Sequence, residues 1–366
     1  MLNLPFFKTY INKSANNKVI STLNSNFVNE GYVVDEFENK LTKFLDLKYV
    51  NTTNSGTSSL HLSLLAAGVG PGDDVLLSPQ TFVATGLAIK YCGANPVFCD
   101  IQLQTGNICP ESIKKKITLR TKAIIAVHWS GYPCDMDEIK KLILKSKKKI
   151  FIIEDAAHAF GAQYKGKKIG NISDFTCFSF QSTKHLTCGD GGAVTCLEKK
   201  NFEKIKKLKW FGIHRKKNKL NFLGERKYNL FQPGYKYHMN NFSASLGIEN
   251  LKLMRKVLKY HRKIGSLYFK YLSDLDGVKL MKYDKNNLHS YWFFQLLAND
   301  RNKFIKKIRS LNIPCTVVNQ RIDRYKIFNK IDEKNINYFY EHHIGLPVNT
   351  SIKKEHILKI VNILKN

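Results

Sequence analysis

The sequence predicts an α/β protein with a mostly parallel sheet flanked by helices, followed by a smaller C-terminal α+β domain. Three observations support this: 366 residues, an ordinary hydrophobic fraction of 43%, and short apolar segments that alternate with helix-like ones. The length corresponds to about two domains of roughly 150 residues each. With 24% charged residues, the chain is not the weakly hydrophobic, highly charged kind that stays disordered.

Helix and strand patterns alternate through the first half. Residues 55–65 predict a turn that opens an amphipathic helix, and further helices are predicted over residues 82–91 and 136–144. Continuous apolar segments between helices are typical of parallel strands that are buried on both faces. The predicted strands span residues 74–77, 96–99, 122–128, 149–154 and 175–180.

Beyond residue 250 the pattern changes. A long basic amphipathic helix is predicted over residues 251–272, then a strand over 291–297 and a helix over 300–311. Fewer and smaller elements after a connecting helix indicate a second, smaller domain. The predicted domains are a large α/β domain over residues 1–250 and a small α+β domain over residues 251–366.

The chain has 59 Lys and Arg residues against 29 Asp and Glu, a net charge of +30. Most of the cations are lysines scattered in short runs, and Asn and Ile are also abundant, which indicates a coding bias more than a basic binding face. Because the motifs of known nucleic-acid-binding modules are missing, we expect no nucleic-acid partner. Attraction of an anionic small substrate is the remaining alternative.

The eight cysteines include no CxxC pair, so neither a metal site nor a redox motif is predicted. Free thiols fit a reducing cytoplasm, the expected location. The N-terminal segment lacks the apolar core of a signal peptide, and no segment approaches the roughly 18 apolar residues of a membrane span. We therefore expect no membrane partner.

Residues 154–192 concentrate the chemistry. Asp155 ends an apolar strand, where ligands bind in open α/β sheets, and Lys184 follows a second strand that ends near Ser179. A lysine amine for a Schiff base and an acid for the pyridine nitrogen are what pyridoxal phosphate (PLP) requires. The turn at residues 54–58 adds a helix N-terminus with hydroxyl groups, which suits a phosphate.

Taken singly, each of these residues has a structural explanation. A strand-end Asp is often a helix cap, a lysine in a lysine-rich chain is usually solvated, and Ser-Gly-Thr-Ser is a common N-cap. Their order and setting favour the cofactor. Six motifs in order, which span most of the chain, resemble the DegT/DnrJ/EryC1/StrS family of sugar aminotransferases, with the fold-type I PLP-transferase architecture. They lie at residues 54–85, 93–101, 128–139, 154–170, 178–194 and 234–251.

The resemblance implies a role for each candidate residue. Lys184 would be the catalytic residue that forms the Schiff base, Asp155 would pair with the pyridine nitrogen, and His158 would lie near the ring hydroxyl. Phe82 would stack on the pyridine ring. The phosphate would be held by Gly56, Thr57 and Ser179.

The sixth motif departs from the family pattern. It reads Gly-Tyr-Lys-Tyr-His-Met where GYNYRM is common, so Lys236 replaces an Asn that reaches the phosphate of the neighbouring subunit's cofactor. His238 stands at the Arg position. The candidate substrate-binding residues are His128, Arg215, His238 and Arg324, and the candidate specificity loops are residues 210–226 and 317–325.

The activity that the resemblance implies is transfer of an amino group, with L-glutamate as donor, to the C3 or C4 ketone of a nucleoside-diphosphate-linked keto-deoxy sugar. The product would be an amino sugar for glycan or polysaccharide biosynthesis, made by a homodimer with shared active sites. One alternative is a sugar dehydratase on the same fold, which carries His where this chain has Lys184. Another is a non-catalytic sugar- or nucleic-acid-binding protein, which an intact set of Asp155, Ser179 and Lys184 disfavours.

Overall fold

The fold is described from a computed structural model of the chain. The structure describes residues 4–146, 148–214, 220–228, 230 and 232–365. The helices are α1 Ala15–Asn24, α2 Tyr32–Leu45, α3 Gly56–Ala66, α4 Val83–Tyr91, α5 Pro110–Lys116, α6 Met136–Leu144, α7 Lys199–Leu208, α8 Asn241–Leu251, α9 Met254–Leu272, α10 Arg301–Ser310, α11 Lys334–His342 and α12 Lys354–Lys365. The strands are β1 Tyr49–Thr53, β2 Asp74–Leu77, β3 Asn95–Phe98, β4 Thr121–Val127, β5 Phe151–Asp155, β6 Gln163–Tyr164, β7 Lys167–Lys168, β8 Phe175–Ser179, β9 Gly192–Cys196, β10 Val278–Leu280, β11 Phe293–Ala298 and β12 His343–Pro347.

The central sheet is mostly parallel, as the sequence predicts. Within the described residues it has seven strands in the order β1-β9-β8-β5-β4-β2-β3. Strand β9 is antiparallel to both of its neighbours, β1 and β8, and the other pairings are parallel. A parallel β9 would need a crossover, usually a helix, but residues 180–191 contain no helix or strand and return the chain to the same edge of the sheet.

Helices cover both faces of this sheet. On one face Leu76, Ile124 and Ile152 join a buried cluster that includes residues of α2 and α6. On the other face the neighbouring residues Ile125 and Ile153 join a cluster built on α3 and α4. Because successive side chains of a strand point to opposite faces, two-sided burial requires the continuous apolar sequence that predicted these strands.

The C-terminal part forms its own sheet, in the order β10-β11-β12, with antiparallel pairing throughout. Helices α9 and α12 pack together beside it around buried Tyr268, Phe294 and Ile357. A further cluster, with Trp129 and Trp292 among its members, joins this sheet to the central one. The α+β character is as predicted, and the boundary at residue 250 stays a prediction.

Each predicted helix and strand overlaps an observed one, with one interruption, and the structure adds several elements that the sequence-based assignment lacks. The predicted helix over residues 251–272 is interrupted after Leu251, where α8 ends, and resumes as α9 at Met254. Strands β1 and β9 are absent from the sequence-based assignment, since β1 (Tyr-Val-Asn-Thr-Thr) has only one aliphatic residue. No helix in the described ranges is long and apolar enough to cross a membrane.

Candidate active site

A cavity of about 430 Å³ opens where the parallel strands end. Val127, Asp155 and Ser179, the last residues of β4, β5 and β8, all line it. This is the position at which open α/β sheets bind ligands, because the carboxyl ends of parallel strands meet at one edge. All seven residues predicted to bind the cofactor within one subunit lie on its wall: Gly56, Thr57, Phe82, Asp155, His158, Ser179 and Lys184.

Asp155 is buried at the end of β5 and its carboxylate is held by two donors. The Thr85 hydroxyl donates to Oδ2 at 2.8 Å, and the Ala157 backbone N–H donates to Oδ1 at 3.2 Å. The Thr85 hydroxyl is itself 2.8 Å from that of Thr81. These contacts fix the orientation of the carboxylate at the cavity wall.

Lys184 lies in the segment 180–191 that joins β8 to β9, hereafter the Lys184 segment. Its Nζ is 3.6 Å from the centre of the Trp292 ring. Burial lowers the pKa of this amine to about 7, and the negative charge of Asp155 opposes that shift. Near neutral pH, the amine therefore exists in both protonation states, as proton transfer requires.

His158 is enclosed by aromatic rings. It stacks on Trp292 with centroids 3.9 Å apart and meets Trp129 edge-on at 5.4 Å. Burial, reinforced by the nearby positive charge of Lys184, holds the pKa of His158 well below its usual value, so the ring is neutral. Among the described residues, its buried Nδ1 has no hydrogen-bond partner.

The N-terminus of α3 also lines the cavity. Ser55 caps this helix, since its hydroxyl accepts a hydrogen bond from the Ser58 N–H at 3.1 Å. A Cβ at Gly56 would lie 2.8 Å from Ser179 Cβ, so only glycine allows this approach. The result is a narrow cradle of backbone N–H groups and hydroxyls, suited to a phosphate.

Phe82 is the residue before α4 and lines the cavity with 57% of its surface exposed. That exposure excludes core packing as the reason for an aromatic residue here. An exposed ring at a cavity wall is suited to stacking on a planar ligand.

The cavity fits PLP in its chemistry. It combines an amine of lowered pKa, an oriented carboxylate, an exposed aromatic ring and an anion cradle that a single Cβ at Gly56 would obstruct. Among the described wall residues, Lys184 is the only Lys or Arg. The individual roles assigned to the wall residues stay predictions.

His128 is a correction to the predicted substrate-binding set. It is fully buried, its Nε2 lies 2.9 Å from Glu154 Oε2, and its Nδ1 accepts from the Cys134 backbone N–H at 3.0 Å. With both ring nitrogens engaged away from the cavity, His128 cannot contact a substrate there. It positions β4 against β5 instead.

The other predicted contacts also lie away from this wall. His238 is buried, with Nε2 2.9 Å from Asn29 Oδ1, and Arg324 places its guanidinium 4.4 Å from the centre of the Tyr340 ring. Neither residue lies on the described wall of this cavity, and their role as substrate contacts stays a prediction. Lys236 is exposed outside the cavity, and Arg215 lies outside the described residues.

The structure adds residues that sequence reasoning missed. Thr85 lies in the first turn of α4, three residues after Phe82. This helical spacing, which places both side chains on one face, was the signal that could have identified Thr85. Trp292 reaches the cavity from the C-terminal part, and nothing in its local sequence indicates that. Val318 and Asn319 were not missed, since they belong to the candidate specificity loop 317–325; both line the cavity, and Val318 has a strained φ of +65°.

Comparison with known proteins agrees with this geometry. The sequence profile of the DegT/DnrJ/EryC1/StrS aminotransferase family matches residues 9–365. The GDP-perosamine synthase of Escherichia coli O157:H7 is 35% identical, over 80% of this chain and 74% of its own. The spore coat polysaccharide biosynthesis protein SpsC of Bacillus subtilis is 30% identical, over 99% of this chain and 96% of its own.

A solved structure shares the fold almost throughout. It is the PLP form of a candidate sugar aminotransferase, Spr1654 of Streptococcus pneumoniae, and it is 27% identical to this chain. The superposition has a TM-score of 0.88 and covers 99% of this chain and 98% of the other. The fold-type I architecture implied by the sequence motifs is thereby confirmed.

Proposed function

Because the chain belongs to the DegT/DnrJ/EryC1/StrS aminotransferase family, we propose that it transfers an amino group to a nucleoside-diphosphate-linked keto-deoxy sugar. The observation that carries the proposal is the convergence of Lys184, Asp155 and the Gly56 cradle on one cavity. The donor is L-glutamate and the acceptor is the C3 or C4 ketone. The GDP-perosamine synthase and SpsC relatives support a nucleotide sugar as substrate and a polysaccharide as destination.

PLP is the cofactor of this family, and when bound it supplies an electron-accepting ring that stabilises negative charge on the adjacent carbon. In the proposed site, Asp155 holds the proton on the pyridine nitrogen, and its bond from Thr85 keeps the carboxylate aimed. Gly56, Thr57 and Ser179 hold the phosphate, and Phe82 covers a ring face.

Lys184 has two tasks in this proposal. Its amine would hold the cofactor covalently, and in its free form Nζ would take a proton from one carbon and deliver it to a neighbouring one. A pKa of about 7 suits both uptake and release of the proton, because neither protonation state of the amine is strongly disfavoured near neutral pH. Neutral His158 contributes shape and a ring nitrogen without a competing charge.

We also propose a homodimer in which each subunit completes the partner's site. The described wall has no Lys or Arg besides Lys184, while the cofactor phosphate and the substrate diphosphate are both anionic. Lys236 is exposed and available to an adjoining subunit. Exposed apolar residues in the same part of the sequence support an interface: Phe211, Leu220, Phe222, Leu223 and Leu230.

The dimer proposal has its own test. Lys236→Ala should weaken PLP binding in the dimer, measured by equilibrium titration of the visible band. Lys207→Ala, at an exposed position on α7, is the matched control for loss of one charge. Unchanged PLP affinity in Lys236→Ala would show that this contact is wrong.

The dehydratase alternative replaces the anchoring lysine by histidine, and Lys184 stands in its place here. A non-catalytic binding protein has no need for a buried amine of pKa about 7 beside an oriented carboxylate. We further place the reaction in the cytoplasm, in keeping with eight free cysteines.

The test of the activity is amine transfer from L-glutamate to a panel of 3-keto and 4-keto nucleotide sugars, with products identified by mass spectrometry. We expect transfer to at least one member and a visible absorbance band that L-glutamate shifts. Lys184→Ala should lose both, and Lys207→Ala should keep both. Absence of transfer across the panel, or full transfer by Lys184→Ala, would overturn the proposal.

A further inference from the structure

Trp292 belongs to the C-terminal part of the chain but occupies the catalytic cavity. It directly precedes β11, and its backbone N–H donates to Ser130 O at 2.8 Å. The side chain is buried and lines the cavity. Its ring stacks on Phe7 at 4.2 Å and 13° and on His158 at 3.9 Å and 22°. These contacts leave the indole little freedom to rotate.

Two contacts connect this ring to the Lys184 segment. The indole Nε1–H donates to Thr183 O at 2.8 Å, one residue before the lysine. The Lys184 Nζ lies 3.6 Å from the ring centre, well within the distance at which a cation is attracted to an aromatic face. The Trp292 side chain therefore contacts both the backbone and the lysine amine of the Lys184 segment.

The charged and titratable groups around Lys184 influence how readily its amine holds a proton. Asp155 favours the ammonium form from β5, and Asp190 lines the same cavity. His158 and His185 are neutral, because burial holds their pKa values well below normal. Besides these carboxylates, the face of the Trp292 ring, 3.6 Å from Nζ, is a further group that can stabilise positive charge on the amine.

We propose that Trp292 is a positioning residue for Lys184: the ring face holds the free amine as ammonium, and the indole N–H fixes the segment that carries it. The inference rests on the proposed function, in which Lys184 is free and protonated during part of the cycle. The inference gives Trp292, a residue outside the central sheet, a role in the reaction.

The test adds PLP to PLP-free protein and measures, at a series of pH values, how fast the visible band forms. Only the neutral amine reacts, so the half-maximal pH reports on Lys184 and is expected near 7 in the parent. Trp292→Leu removes the ring and the N–H, whereas Trp292→Phe keeps a ring face. We expect Trp292→Leu to lower the half-maximal pH by about half a unit to one unit, and Trp292→Phe to change it by much less.

A second measurement avoids substitution. Protein grown with tryptophan fluorinated on the benzo ring keeps its shape while the ring face becomes less negative, so the half-maximal pH should also fall. Trp292→Phe protein grown with the same analogue controls for the other tryptophans and should not shift. An unchanged or raised half-maximal pH in Trp292→Leu, or in the fluorinated parent, would overturn the inference.

These outcomes are distinct from failure of the proposed function. If the parent protein forms no visible band, the assignment of Lys184 itself is wrong. If the band forms but its half-maximal pH is the same in Trp292→Leu as in the parent, only the positioning role is wrong. Band formation does not require the sugar substrate, so the test is independent of its identity.

Discussion

The Thr85 hydroxyl donates a 2.8 Å hydrogen bond to the buried carboxylate of Asp155, linking the first turn of α4 to the end of β5. The bond aims the acid that is proposed to hold the pyridine nitrogen. Only one other donor, the Ala157 N–H, reaches this carboxylate among the described residues. The acid at the centre of the site therefore depends on a helix from a different part of the chain.

Thr85→Val should weaken PLP binding while leaving the fold intact, because it keeps the shape and removes the hydroxyl. Loss of a hydrogen bond to a carboxylate costs about 1.5–3 kcal/mol, so PLP affinity should fall about tenfold or more. Equilibrium titration of the visible band measures this. Thr81→Val, one hydroxyl further from Asp155, is the control and should have a smaller effect. Equal affinity in the parent and Thr85→Val would contradict the prediction.

Gly56→Ala should obstruct the phosphate cradle. The added Cβ would lie 2.8 Å from Ser179 Cβ, so α3 or the end of β8 must shift. We expect at least about tenfold weaker PLP binding, with a smaller effect on pyridoxal, which has no phosphate. Gly70→Ala is the control, since its Cβ would meet nothing within 4 Å. A similar loss for PLP and pyridoxal would show that the change is not specific to the phosphate.

Glu154→Gln should destabilise the protein in a pH-dependent way. Burial raises the pKa of Glu154, but hydrogen bonds from His128, Ser173 and Thr176 outweigh burial and lower it below the usual carboxyl value. This stabilisation is complete above the ordinary pKa of 4.5 and is lost as pH falls through the folded-state pKa. Urea unfolding should show a loss of about 1–3 kcal/mol at pH 7 that shrinks as the pH falls below 4.5. A pH-independent difference would contradict the assigned cause.

Asp323→Ala should strongly destabilise the loop that forms the wall at Val318. Arg321 and Asp323 are both fully buried and make two bonds of 2.7 Å, and Arg321 has no solvent to replace its partner. Removing one member of a buried pair costs about 3–5 kcal/mol. Glu355→Ala, in an exposed pair with Lys353 at 3.9 Å, should cost less than about 1 kcal/mol. Thermal unfolding of both variants measures the contrast.

The sequence predicts the parts of this site that are local. Asp155 and Ser179 end the neighbouring parallel strands β5 and β8, and Lys184 follows Ser179 by five residues, so a parallel sheet brings these three residues to one edge. Phe82 and Gly56 come from turns that open helices, which sequence patterns also mark. These residues share a wall because strands β1, β8, β5 and β2, which precede or carry them, all end at the same edge of one sheet.

The remaining parts depend on contacts between distant segments. Trp292 reaches Lys184 only because β11 packs against residues 129–131, and no local pattern encodes that packing. His128 illustrates the reverse error: a histidine in a family motif pairs with Glu154 inside the sheet rather than with a ligand. A strand-end position alone does not distinguish a side chain that faces the cavity from one that faces the next strand.

The antiparallel turn back from β8 to β9 also limits how this site can change. Ser179 pairs with Gly192, and a Cβ at Gly192 would lie 2.5 Å from Ser55 O, so both ends of the Lys184 segment abut the phosphate cradle. The spacing between amine and phosphate is therefore set by the number of residues in that segment. Substitutions within it can alter reactivity, whereas an insertion or deletion would separate two groups that are proposed to contact the same small molecule.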